Sequence, residues 1–323
     1  TNGNVYNTAV GANAGFSVTT GTSNTLLGAR SGDALTTGSL NVAVGLDALT
    51  TDTLGSRSVA VGLNALQQQN FTTATNVYNT AVGYEAGKVI TTGVQNTLVG
   101  GLAGDALTDA DYNVAIGMGT LTSDTLGSRS VAIGPFALES QNFTTATDSH
   151  NVAVGNHAGL SVTTGQYNTL IGGQAGDALT TGNSNVALGY VALSTEDQHG
   201  NNTALGNRTL MNQNAGAEAY NVAVGADAGL AVTTGIYNTL IGGATGDNLT
   251  DADKNTAVGF TALSSDTLGS QSTAVGYQAL FTQNFTTATL ANNTAVGYNA
   301  GSAATTAIQN AFLGSRAGES VTT

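Results

Sequence analysis

Apolar and polar residues alternate strictly in Asn41-Val42-Ala43-Val44-Gly45, and this five-residue pattern recurs along the whole chain. Aligned on its glycine, it appears eighteen times, from Gly11, Gly28, Gly45 and Gly62 through to Gly297 and Gly314. The steps run 17, 17, 17, 21 and then repeat, with 19 replacing 21 in the third round. A fixed short period inside a longer one predicts a stacked architecture in which each unit touches only its neighbours. The chain therefore reads as one continuous solenoid, residues 1–323, with four-coil rounds of about 72 residues at 7–78, 79–150, 151–220 and 221–292 and a partial round at 293–323.

Alternation over three to five residues predicts a short strand. Val42 and Val44 share one face, while Asn41, Ala43 and Gly45 share the other. Val59/Val61, Val114/Ile116, Val131/Ile133 and Val222/Val224 repeat the arrangement, and Thr takes the first place at Thr8, Thr80 and Thr256. β-Branched residues suit strands, and the branched face is expected to fill the core. Leu49, Leu66, Leu121, Leu138, Leu263 and Leu280 are expected to lie on a second short strand facing those valines. The polar runs closing on Gly38 and Gly165 supply the turns. Seventeen residues do not fit a triangular coil of hexapeptides, so the prediction is an all-β fold, a flattened parallel β-roll of eighteen coils.

So thin a core barely offsets backbone entropy. Ala43, Ala60, Ala115, Ala132 and Ala223 are therefore expected to form an outer ridge that packs against the same ridge on other copies, giving a cyclic homo-oligomer.

Composition narrows the function. There are 44 Gly, one Pro, no Cys and a net charge of -13, with only seven Lys and Arg. No basic patch is present to neutralise phosphates, which argues against nucleic acid, and no apolar run approaches the ~20 residues of a membrane span. Neither end of the sequence looks like a capping coil, so the chain is expected to be a segment of a longer molecule.

Ser130-Val131-Ala132-Ile133-Gly134 resembles the YadA-like head repeat of trimeric autotransporter adhesins, and Asn292-Asn293-Thr294-Ala295-Val296-Gly297-Tyr298-Asn299-Ala300 resembles the versions in phage tail-fibre-type proteins. The resemblance covers essentially the whole chain, although the coils are longer than the usual head repeat. It implies a left-handed parallel β-roll, three chains side by side as an elongated fibre, and an extracellular place on a virion or cell surface. The expected function is the shaft or head of an attachment fibre of a phage or virus. A bacterial surface adhesin head is the alternative, and an ice-binding solenoid a remote one. The expected partners are the chain itself and a host-surface glycan or other fibre components.

Candidate chemistry is sparse. Phe71, Phe143 and Phe285 sit in the inserted Asn-Phe-Thr-Thr-Ala-Thr segments, either stacking on sugars as receptor contacts or folding back to cover a widened coil, the preferred reading. Asp105, Asp109 and Asp111, with Asp247, Asp251 and Asp253, form two acidic turns that carry a calcium reading, set against a solvated turn as the preferred one. The third round departs from the others at Glu196, Asp197, His199, Arg208 and Met211. His150, His157 and His199 have no zinc-site spacing, and no nucleophile elbow or P-loop is present. No enzyme activity and no cofactor are expected.

Overall fold

The computed structural model describes residues 5–323. It is all-β, with no helix among the described residues. It is a parallel β-solenoid of eighteen three-residue strands, which fall in two compact units, residues 1–164 and 165–323.

In the first unit, nine strands from Thr8–Val10 to Val152–Val154 pair in parallel, each with the strand one coil later. Val42, Ala43 and Val44 stand beside Val59, Ala60 and Val61, so identical residue types stack in columns. The register survives the inserted residues, since Val59 pairs with Thr80 and Val131 with Val152. In the second unit, nine strands from Thr169–Ile171 to Ala311–Leu313 repeat the plan, with Ala204 beside Ala223 across the shorter insertion.

Each strand ends on its glycine because the chain there turns into the left-handed region, with φ of 136° at Gly45. Two turns of the coil follow, and both place non-glycine residues at positive φ: Asp47 at 60° and Leu49 at 53°. Left-handed φ costs a leucine about 1–2 kcal/mol. Complete burial of the Leu49 side chain returns about 1.5–3 kcal/mol, so burial decides the conformation. Leu49 thus occupies a turn, and the second strand expected around it is absent.

The largest correction concerns which face is inside. Ala43, Ala60, Ala115, Ala132 and Ala223 have no exposed surface and line the interior of their coils, so they cannot meet another chain. Val42, Val44, Val59, Val61 and their equivalents point outward and are half-buried. The reason is volume. A seventeen-residue coil is so narrow that its interior holds only one or two large side chains, and a glycine stands where they crowd the backbone. Where Ala43 stands, Leu49 fills the space. Where Leu26 stands instead, the position equivalent to Leu49 is Gly32, and a Cβ there would lie 2.8 Å from both Leu26 and Leu35. Leu98 with Gly104, Leu170 with Gly176 and Leu240 with Gly246 repeat this exchange.

A column of buried asparagines closes the coils. Asn41 Nδ2 donates to the Gly55 carbonyl at 3.0 Å, fourteen residues on. Its Oδ1 accepts the Ser58 N–H at 2.9 Å from the next coil, while its own N–H donates to Asn24 Oδ1 at 2.9 Å. These contacts satisfy a buried side-chain amide and three backbone groups.

Candidate functional site

The wide coil of each round carries a buried polar cluster, and its geometry explains the inserted segment. Ser58 takes the place of an asparagine in the column, leaving a gap that Gln69 fills. Gln69 Nε2 donates to Ser58 Oγ at 3.0 Å and to Asp52 Oδ2 at 2.6 Å, and Gln69 Oε1 accepts from Asn79 Nδ2 at 2.9 Å. Asp52 Oδ1 accepts the backbone N–H groups of Gly55 and Phe71 at 3.0 and 3.1 Å. The clusters of Asp124, Gln141 and Ser130, and of Asp266, Gln283 and Ser272, are built the same way. Burial pushes the Asp52 carboxyl above the ordinary carboxylate range, against the three donated hydrogen bonds that favour its ion.

This cluster also settles where the phenylalanines lie. Phe71, Phe143 and Phe285 are buried over it, 7 %, 4 % and 6 % exposed. So little of each ring reaches solvent that the phenylalanines lie as a cover over the widened coil, not as displayed receptor contacts. The exposed part of the insertion is Thr72, Thr73 and Ala74, with Thr144, Thr145, Ala146 and Thr286, Thr287, Ala288 as its copies. Insertion also adds a short parallel ladder, Gly55–Ser56 with Thr75–Asn76, that the seventeen-residue coils lack.

The acidic turns do not converge. Asp105 Oδ1 accepts from Thr122 Oγ1, Asp109 Oδ1 from Thr92 Oγ1 and Asp111 Oδ1 from the Val94 N–H. Asp247, Asp251 and Asp253 are engaged likewise by Ser264, Thr234 and Ile236. Asp105 and Asp247 bond to the following coil and the other four to the preceding one, so these carboxylates do not gather as the calcium reading requires. Among the described residues, only Glu196, Asp197 and His199 bring three metal-ligating groups together. The third round's other departures are surface features: Arg208 makes a two-pronged pair with Asp227, both contacts at 2.8 Å.

The most extensive candidate is a surface. The outward positions of the strands form, on each unit, a strip of Val, Ile, Leu and Thr without a charged residue, although the chain carries 27 charged side chains. In the first unit Val99 and Ile116 on the strip are exposed, flanked by exposed Leu46, Leu63 and Met118. In the second, Leu188 and Ile241 are exposed, and Phe260, Tyr277 and Tyr298 stack beside the strip with ring centroids 5.9 and 5.3 Å apart. The residues after the strand glycine thus extend the apolar area, a signal visible in the sequence only once the outward face is known.

No known family model matches the chain, and no curated protein matches its sequence. No helix among the described residues is long and apolar enough to cross a membrane.

Proposed function

We propose that this chain is the shaft or head of an extracellular attachment fibre, of the phage or virus type, assembled from three copies of itself. The observation that carries the reading is the uncharged, part-exposed strip of branched residues on a chain of net charge -13. A contiguous apolar strip of this kind marks an association surface. Its columns hold uncharged residues, mostly β-branched, from coil to coil, so a second copy in register meets compatible side chains at each level, as a cyclic homo-oligomer requires. The resemblance of Asn-Val-Ala-Val-Gly to YadA-like head repeats supplies the number three and the fibre role.

Such an assembly gives stiffness through repetition. The core contributes one or two large side chains per coil, and burial of the strip between copies adds the apolar area that each coil lacks by itself. Exposed tyrosines recur away from the strip, with Arg57 over Tyr78, Arg129 over Tyr112 and Tyr220 stacked on Tyr237, so any contact made there is repeated along the chain. The role is accordingly non-catalytic: to hold a binding end away from its base, with any host-glycan contact weak and multivalent. Sedimentation equilibrium at micromolar concentration tests the assembly. A mass of three chains is expected, and a stable folded monomer overturns the reading.

A further inference from the structure

In three rounds the wide-coil cluster opens on Asp-Thr-Leu-Gly, at residues 52–55, 124–127 and 266–269. The glycine is required there, since a Cβ on Gly55 would lie 2.1 Å from Asp52 Oδ2. In the remaining round the same four positions read Glu196-Asp197-Gln198-His199. All four have changed, and three of the new residues, Glu196, Asp197 and His199, are of metal-ligating type.

The exchange has a geometric logic. Glu196 is fully buried, and its Oε2 takes over the work of the shorter aspartate, accepting from Gln213 Nε2 at 3.1 Å and the Ala215 N–H at 3.3 Å. Oε1 accepts the His199 N–H at 3.3 Å, where the glycine N–H donates in the other rounds. The imidazole of His199 therefore lies against this carboxylate. Its Nδ1 is buried and has no hydrogen-bond partner. It stands 3.6 Å from Glu196 Oε1, too far for a hydrogen bond. Two ligands of a tetrahedral zinc ion, each about 2.0–2.1 Å from the metal, are separated by about 3.4 Å. One ligand atom from each of Glu196, Asp197 and His199 lies within 4.8 Å of the other two. Asp197 and His199 are half-buried, so an ion has a path from solvent. The Glu218 carboxylate, bonded to the Gly200 N–H at 3.0 Å and Asn201 Nδ2 at 2.6 Å, adds negative charge nearby.

We propose that Glu196, Asp197 and His199 bind a divalent transition-metal cation of the zinc type, leaving a fourth position to solvent. An imidazole nitrogen with only two carboxylates suits this class and not calcium, which takes 6–8 oxygens. The ion also has a structural task. Ala215 occupies the place that Phe71, Phe143 and Phe285 fill in the other rounds, so this corner lacks its aromatic cover. Glu196 already ties its own coil to Gln213 and Ala215 in the next one, and a metal on its free oxygen lone pair fixes that corner in place of the ring.

The test uses the full chain, stripped of metal with a chelator and titrated with zinc chloride by calorimetry at neutral pH, alongside calcium chloride. Uptake of one zinc ion per chain with a rise in melting temperature is expected, and no response to calcium. His199→Gly restores the residue of the other rounds; it is expected to fold and to lose zinc affinity by at least about tenfold. His199→Gln serves as a second variant of closer volume. Absence of zinc uptake by the unmodified chain, or uptake unchanged in the folded variants and hence due to His150 or His157, overturns the proposal.

Discussion

A Cβ built on Gly45 would lie 2.4 Å from the carbonyl oxygen of Gly62, the equivalent residue one coil later. The same contact recurs from coil to coil within each unit, so the backbones at this corner are as close as glycine allows. Substitution of Gly45 by Ala meets two obstacles, the φ of 136° and the neighbouring backbone. The expected loss is about 3 kcal/mol or more, the φ strain alone being worth about 1–3 kcal/mol. Urea unfolding of Gly45→Ala beside the exposed control Thr37→Ala measures it; equal midpoints contradict the stacked-glycine account.

Asn41→Leu removes a rung of the amide column. It leaves the Gly55 carbonyl and the Ser58 N–H without partners in a buried place. Each orphaned group costs about 1–3 kcal/mol, so a loss of about 2–5 kcal/mol is expected despite the added apolar volume. Denaturant titration reads the result, and a neutral or stabilising outcome shows that the column is dispensable.

Leu26 and Gly32 exchange volume with the pair Ala43 and Leu49, and the backbones match, with φ of 53° at both Gly32 and Leu49. Leu26→Ala alone is expected to cost about 2–5 kcal/mol through the cavity it leaves. Gly32→Leu alone is expected to overpack against Leu26 and Leu35. The double variant removes the Leu26 clash but keeps Leu35 close to residue 32, so it is expected to recover about 1 kcal/mol relative to the sum of the singles without reaching the unmodified stability. A double-mutant cycle showing simple additivity rejects the exchange.

Burial raises the carboxyls of Asp52, Asp105, Glu196 and Asp247 above their ordinary values of 3.8 for Asp and 4.5 for Glu. A folded state that holds its protons more tightly than the unfolded chain gains stability as pH falls. That contribution is complete below the unfolded values and lost as pH rises through the folded ones. Glu85, lowered by Lys88, acts in the opposite sense, but this pair lies at the surface and is screened. The urea midpoint is therefore expected to rise as pH falls from neutrality toward the ordinary carboxylate values. A midpoint that falls over that interval contradicts the assignment.

Much of the fold is legible in the sequence because its period is fixed by glycine: the strands, their parallel stacking and the seventeen-residue step follow from Gly45 and its copies. Alternation shows that Val42 and Val44 share a face but does not say whether that face is inside. Size was the misleading guide, since a larger core would take the valines and expose Ala43. The deciding signal lies further along the coils that have a Leu on the strand, where Leu26, Leu98, Leu170 and Leu240 are each followed by a glycine that their side chains crowd, so the strand's middle position and the later one share one small interior. The Phe71 cover was half legible, as a preferred reading, because the burial of an aromatic depends on the Asp52–Gln69 cluster beneath it. That cluster joins residues seventeen apart through side chains alone, which no local pattern marks.

If copies associate through the outward strip of Val, Ile, Leu and Thr, aspartate on the strip and aspartate beneath it have different effects. Ile116 is 38 % exposed, whereas Ala132 one coil later has no exposed surface. Sedimentation velocity with circular dichroism on Ile116→Asp and Ala132→Asp separates assembly from folding. Ile116→Asp is expected to keep its β spectrum but to sediment as smaller species, while Ala132→Asp is expected to lose structure in its own coils. An Ile116→Asp chain that sediments with the unmodified one, or an Ala132→Asp chain that folds normally and dissociates, contradicts association through the strip.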